Sequence, residues 1–350
     1  MTESKLESML ADTADAPAAL VLRQFLSPVE GRDGVIFPPT FAAKKKGDAG
    51  DYNIDSLGDG ENVCLVDSIG SQANRIEPMF AESALAPLVP QIVITAGSKR
   101  VNLLEAGHRA GDAIVRCSAL KESLKQAFQA LKTGDALPLA KVAPTSLLFG
   151  VWDSRDTQAK APRLLSSTIR AFNVARLTRS AMYTPAADYS TDDLLGEAET
   201  DASREERSTW GYNNALATGT HGGVIARGDI RRESTLQLAA LRLLRGSSIE
   251  ETAKLRKYLL GLALLAFSRP AVGFLRQGCN LVLDADKPAS CHLVYPSGKR
   301  EPFSVTFEAA LGFATRAAEA FGVGDSQAVS FLPQKAKDEM GTKKGKAKQK

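Results

Sequence analysis

The stretch from Asp188 to Gly223 is unsuited to a core, and it sits in the middle of the chain. From Asp188 to Glu206 eight acids face one base, Arg204, and the residues that follow are rich in glycine and asparagine. Such a segment offers few large apolar side chains to bury, so the fold has to be assembled from what flanks it, with this stretch protruding as an insertion. Immediately upstream the sign of the charge is opposite. Between Ser154 and Ala187 six basic residues (Arg155, Lys160, Arg163, Arg170, Arg176 and Arg179) stand against one acid, Asp156. Arginine presents a planar fork of donors that matches phosphate oxygens, so a basic block of this kind inside a folded region points to a polyanion, with nucleic acid as the first candidate. A solvated charged face is the competing reading of the same run.

The flanking regions interleave strands and helices. Asn62 to Ile69 is a buried strand, followed by a turn at Gly70-Ser71 and a helix from Gln72 that Pro78 limits or kinks. Gln91 to Thr95 is a second strand; Leu103 to Cys117 and Leu120 to Leu131 read as helices, and Ser146 to Trp152 as a further buried strand. Threonine and β-branched residues favour strands over Arg163 to Tyr183, which would put Arg170 and Phe172 on one sheet face. Gly222 to Ile230 returns as a strand carrying Arg227. Ser248-Ile249-Glu250-Glu251 opens a helix, apolar all round and therefore buried, that reaches about Phe267. Leu281 to Leu283 and Cys291 to Tyr295 read as paired strands, and Val305 to Phe321 as a last helix. Ala18 to Phe25 carries a helical apolar pattern stopped at Ser27-Pro28, and Pro28 to Tyr52 is a long irregular segment containing Lys44, Lys45 and Lys46. The class expected is α+β, ferredoxin-like, with excursions.

Composition adds three constraints. The net charge is +4, yet the last sixteen residues hold seven lysines and two acids, so the body is close to neutral and the tail is expected to be disordered. The four cysteines have no CxxC spacing and the chain has three histidines, so neither a metal nor a cofactor is implied. The start of the chain is polar and charged, without a secretory signal, and its longest apolar run falls far short of a bilayer span; a cytoplasmic protein is expected. No GxSxG, Walker loop or GxGxxG follows a strand. His108, between Gly107 and Arg109, is the one imidazole placed for acid or base chemistry; His221 reads as a turn residue.

Several stretches together resemble one family. They are Pro28-Val29-Glu30-Gly31 with Phe37 to Phe41; Leu65 to Ser68 with Ser71 to Arg75; Gly107-His108-Arg109 with Asp112; Phe149 to Ser154; and Thr178 to Ala181 with Tyr183-Thr184-Pro185. Over about residues 20 to 320 the chain resembles the repeated backbone subunit of type I-G (formerly I-U) CRISPR Cascade complexes, a RAMP-superfamily protein. The resemblance implies a modified RNA-recognition palm with finger and thumb insertions, copies of which polymerise along the spacer of a CRISPR RNA and present it for pairing with target DNA, alongside other Cascade subunits. It implies a scaffold and not an enzyme; the alternative is a RAMP-type RNA-processing endonuclease using His108.

Carried over by position, Ser71, Gln72, Asn74 and Arg75 would face the guide backbone, with Arg109, Arg155, Lys160, Arg163, Arg170, Arg179 and Arg227 extending the basic track. Glu197, Glu199, Asp201 and Trp210 would belong to an insertion that meets the next copy. The organisation implied is an N-terminal helix and irregular segment (1–61), a first palm part with a helical insertion (62–187), a thumb-like insertion (188–222), a second palm part (223–330) and a lysine-rich tail (331–350). The aromatic motif of ordinary RNA-recognition domains is absent, which argues against base stacking on a flat sheet. Gly273 to Gly278 is the nearest candidate for a RAMP glycine-rich loop.

Overall fold

The computed structural model describes residues 3–42, 50–191, 193–269 and 273–347. Lys44 to Lys46, Asp192, Lys348 and Lys350 lie outside the described residues. Among the described residues nine strands form one antiparallel sheet. Its centre, in spatial order, is Cys279–Leu283, Ala19–Pro28, Ile230–Gln237 and Leu165–Phe172. In chain order these are the fourth, first, third and second strands, with helical segments joining the first to the second and the third to the fourth. That is the ferredoxin-like β-α-β-β-α-β order expected, within a mixed helix-and-sheet architecture. Glu61–Asp67 and Ile54–Gly58 extend the sheet beyond Leu165–Phe172.

Four local expectations need correction. Ala19–Pro28 is a central strand and not a helix: Leu20 and Leu26 point inward while Arg23 is exposed, and ladders on both sides override the apolar spacing. Pro144–Phe149 is a helix whose six residues are all buried, where a strand was expected, because a continuous apolar run reads alike in either state. Leu103 to Cys117 breaks into 3₁₀ turns at Leu103–Glu105 and Arg109–Gly111 and one helical turn at Ala113–Arg116, with Asn102 and Asp112 restarting the chain as caps. Leu281–Leu283 and Ser290–Val294 do not pair with each other; both pair with Ala19–Pro28, at its two ends.

The inner face of the sheet is apolar at both ends. At one end Leu20, Leu165, Leu236 and Leu293 join the main core with the helices Ile249–Ser268 and Phe307–Phe321. Gly261 lets those two helices approach closely, since a Cβ there would lie 2.8 Å from Ala314 Cα. At the other end Leu26, Ala171 and Ile230 pack on Ile36, Tyr52 and Val224. A polar seam built on Asp67, Ser167, Arg232 and Ser234, all buried, separates the two clusters. The outer face carries Arg23, Phe25, Arg170, Phe172 and Arg231.

A long arm, Val174–Tyr183 paired with Ala215–Ala226, grows out of the two central strands, with register shifts at Arg176/Thr178 and Arg179/Ala181. Asn62 clamps its root: Val174 N–H donates to Asn62 Oδ1 at 2.8 Å, and Asn62 Nδ2 donates to Val174 O at 3.0 Å. His221, expected in a turn, lies on the arm opposite Thr178. Beyond the arm sits the helix Asp201–Trp210, closed by a reciprocal Thr200–Ser203 cap and ended by Gly211 at φ +80°. The tail differs from its expected disorder. Pro333–Ala347 is helical, and Glu339 pairs with Arg116 at 3.1 Å. Among the described residues no helix is long and apolar enough to cross a membrane.

Candidate nucleic-acid interface

The strand Glu61–Asp67 hands over to the helix Ile69–Ile76 at a buried carboxylate. Asp67 Oδ2 accepts from Gln72 Nε2 at 2.7 Å and Arg75 Nε at 3.1 Å, and its Oδ1 accepts from Arg276 Nη2 at 3.2 Å. Gln72 accepts from Ser167, which in turn accepts from Ser234 and from Arg232 Nε. Arg232 has no carboxylate partner among the described residues, and burial pushes its pKa down to about 10. Two guanidinium groups, Arg75 and Arg276, therefore meet one buried negative charge, and Arg232 joins the same network through Ser167 and Gln72. Arg75 and Arg276 keep 31% and 25% of their side chains accessible, so positive surface is held in a fixed orientation there. Arg276 belongs to the Gly273–Gly278 segment. Two regions distant in sequence thus meet at Asp67, a convergence that no local signal announced.

From this junction a surface track leads on. Asn74 is exposed, and its Nδ2 lies 3.8 Å from where a Cβ on Gly107 would sit. The turn that follows abuts Trp152, whose carbonyl oxygen is 3.0 Å from a Cβ placed on Gly111. Beyond lie exposed Arg155, Lys160 and Arg163, none with a carboxylate partner among the described residues. Lys160 Nζ sits 4.5 Å above the ring of Trp152, which is 54% exposed. Cations and an accessible aromatic ring on one surface suit a single strand, with charge on the phosphates and a π-face for a base.

Arg109 has a different place from the one expected. It is 4% exposed, at φ +53°, and its Nε donates to Glu77 at 2.7 Å while its guanidinium lies 5.4 Å from the Phe149 ring centroid. Its Nη1 donates to Gly150 O at 3.4 Å. Buried in this way it has no surface for a phosphate; it holds the Gly107–Asp112 turn and the Gly150 backbone together beneath the track. Gln72 is likewise consumed inside the fold, and Ser71 shares a hydrogen bond with Ser68 Oγ at 3.1 Å. His108 is exposed, and its side chain makes no hydrogen bond among the described residues.

The structure thus brings Ser71, Gln72, Asn74, Arg75, Arg155, Lys160 and Arg163 to one side of the molecule. Arg170, Arg179 and Arg227 lie elsewhere: Arg170 on the outer sheet face, Arg179 on the arm and Arg227 near the arm's root. Residues 20–176 match the family model for CRISPR-associated protein GSU0053. The match is to a CRISPR-associated protein family, and it runs from the first central strand to the base of the arm, taking in Arg75, Arg155, Lys160 and Arg163 but not Arg276. No curated protein matches the chain.

Glu197, Glu199, Asp201 and Trp210 all sit on the insertion beyond the arm, where Trp210 is 71% exposed and Leu194 is exposed as well, next to exposed Met182 and Leu216 at the tip of the arm itself. Exposed apolar side chains at this density among acids form a patch suited to contact with another macromolecule. Sequence reasoning missed Trp152 as a track residue, and it missed Arg231, Arg232 and Arg276. The Arg231-Arg232 doublet was visible, but alternation sends one to each face, and only the strand register tells which.

Proposed function

We propose that this chain is a CRISPR-RNA-binding backbone subunit of a Cascade-type complex, a scaffold without catalytic activity, copies of which assemble along the guide and present it for pairing with target DNA. The observation that carries this reading is a pair of cationic clusters, Arg75 and Arg276 on Asp67 and then Arg155, Lys160 and Arg163 beside Trp152, linked through Asn74 and the Gly107–Asp112 turn; the last three cations have no carboxylate partner among the described residues. The family match over residues 20–176 supports it by naming the biological setting, and the resemblance in the motifs supports the subunit type. A guide spacer can have any sequence, so its carrier must read phosphate and 2′-hydroxyl groups rather than base edges, and unpaired arginines beside a buried anchor do that. The acidic, apolar insertion is the complementary element. It is held away from the palm on the arm, where it can reach a neighbouring copy's basic surface, an interface between unlike patches that propagates.

The test is binding of single-stranded RNA across salt concentrations by the chain ending before Lys335, with and without Arg155→Gln, Lys160→Gln and Arg163→Gln together. Each lost phosphate contact lowers the log–log salt slope by roughly 0.7, so the triple variant should bind more weakly with a slope shallower by about two. Equal affinity and equal slope in the two proteins would remove the track from the reading.

A further inference from the structure

The outer face of the sheet carries a second cluster that the track does not use. Phe25 is in register with Arg231, Arg231 with Arg170, and Arg170 with Leu65, so these four side chains form one row across four adjacent strands. Like charges directly opposite each other destabilise a sheet, yet neither Arg170 nor Arg231 has a carboxylate partner among the described residues. The nearest acid in the next row, Glu233, is committed to Arg23 at 2.8 Å. Arg231 is also fixed in place: its guanidinium carbon lies 3.6 Å from the Phe172 ring centroid, and its Nε is buried with no hydrogen-bond partner among the described residues. A buried donor without an acceptor is costly, and so is an uncompensated arginine pair. An anion placed between the two guanidinium groups relieves the like-charge pair. Beside Phe25 a recess of about 200 Å³ is lined by Arg32, Arg227, Asp229, Asp284 and Lys287; Arg32 pairs with Asp284 and Lys287 with Asp229, and Lys287 Nζ lies 5.6 Å from the Phe25 ring centroid, so a base entering there displaces that ammonium.

We propose that this face is a separate site for one nucleotide of a single-stranded polynucleotide, its phosphate held between Arg170 and Arg231 and its base stacked on Phe25 at the recess. Planar guanidinium forks and a half-buried aromatic ring in one row are the elements that hold a strand by phosphate and by base at once. The inference rests on the polynucleotide reading above but concerns the opposite side of the sheet. Asp67 and Ile169 point inward and Arg170 outward, so a strand lying in the track cannot reach Arg231 through the sheet. The site therefore takes a second strand, or a portion of the same strand that has passed around the edge. RNA and DNA offer the same phosphate and base chemistry here.

The experiment titrates the full chain with single-stranded RNA and, separately, DNA of one sequence carrying 2-aminopurine, whose fluorescence is quenched when its base is stacked. The proteins are the parent, Arg170→Gln with Arg231→Gln, Phe25→Leu, and the Arg155, Lys160 and Arg163 triple glutamine variant. The double variant should lose about tenfold or more in affinity for at least one strand type, and Phe25→Leu should lose quenching, whereas the triple variant should retain quenching at saturation. An effect confined to RNA or to DNA supports the site equally and names its strand. Unchanged affinity and quenching for both strands in the double variant overturn the proposal, as does loss of all quenching in the triple variant. Failure of the track reading looks different, because the triple variant would then bind like the parent. Removing an unfavourable like-charge pair should leave the thermal midpoint at or above the parent's. If the double variant does not fold, Arg231→Lys, which keeps the charge but loses the guanidinium fork and its stack on Phe172, is read by affinity, with severalfold weaker binding expected and parental affinity overturning the site.

Discussion

Burial, more than charge, decides what each basic residue can do. Arg109 stood in the sequence beside a histidine and glycine in a basic context, yet it and Glu77 are 4% and 1% exposed. Removing either partner leaves a buried charge uncompensated, so Arg109→Met should destabilise by about 3–5 kcal/mol, seen as a lower denaturant midpoint. Burial also pushes Glu77 up to about 7, outweighing the pull of Arg109. Between the ordinary glutamate range and pH 7 the folded chain therefore holds a proton that the unfolded chain has released. The contribution of Glu77 is full below the ordinary range and declines as pH rises toward 7. Urea denaturation at pH 5 and pH 8 should show this decline in the parent and a smaller one in Glu77→Gln; an identical pH profile in the two proteins would refute it. That Arg109 is internal was not legible in its neighbours, because its partner lies 32 positions away.

At the level of elements, strand-and-helix alternation was readable where patterns were unambiguous and failed where an apolar run fits both periods. Leu165–Phe172, Val174–Tyr183 and Ile249–Ser268 followed from β-branched content and from a cap at Ser248, whose Oγ accepts from Glu251 N–H at 3.1 Å. Ala19–Pro28 and Pro144–Phe149 exchanged their expected states because neighbours, not local preference, decided them. The helix pair Ile249–Ser268 and Phe307–Phe321 gives a prediction at this scale. Alanine normally improves on glycine in a helix interior by roughly 1 kcal/mol. At Gly261 the added methyl would meet the Ala314 backbone at 2.8 Å, which cannot yield as a flexible side chain would. Gly261→Ala should therefore lower stability by about 1–3 kcal/mol, measured by chemical denaturation, with Leu259→Ala in the same helix as a control for cavity formation.

At the scale of the whole molecule, the two charge blocks that dominate the sequence are separated in space. The basic block is divided among the track, the outer sheet face and the arm, and the acidic block is carried out beyond the arm. If the acidic insertion holds a neighbouring copy, Glu197→Lys, Glu199→Lys and Asp201→Lys together should shift RNA-bound assemblies to smaller mass in light scattering, and high salt should do the same to the parent. Assemblies of unchanged mass would end that idea. The existence of an insertion was plain in the sequence, because so acidic and glycine-rich a stretch has little to bury. Its attachment was not, since the hairpin that carries it begins inside the segment whose charge pattern had suggested a single basic surface.

That attachment has a mechanical consequence. The arm continues the two strands at the middle of the sheet, and Asn62 pins its root to a third. A load applied at the insertion therefore pulls both strands lengthwise together, and it is resisted in shear by the ladders that join Ile230–Gln237 to Ala19–Pro28 and Leu165–Phe172 to Glu61–Asp67, whose bonds are not peeled one after another from an edge. With the root pinned, bending is left to the two register shifts farther out, near Thr178 and Ala181. The arm is then a jointed lever on a rigid base, able to follow a neighbour through a range of angles while the surfaces on both sides of the sheet keep their shape.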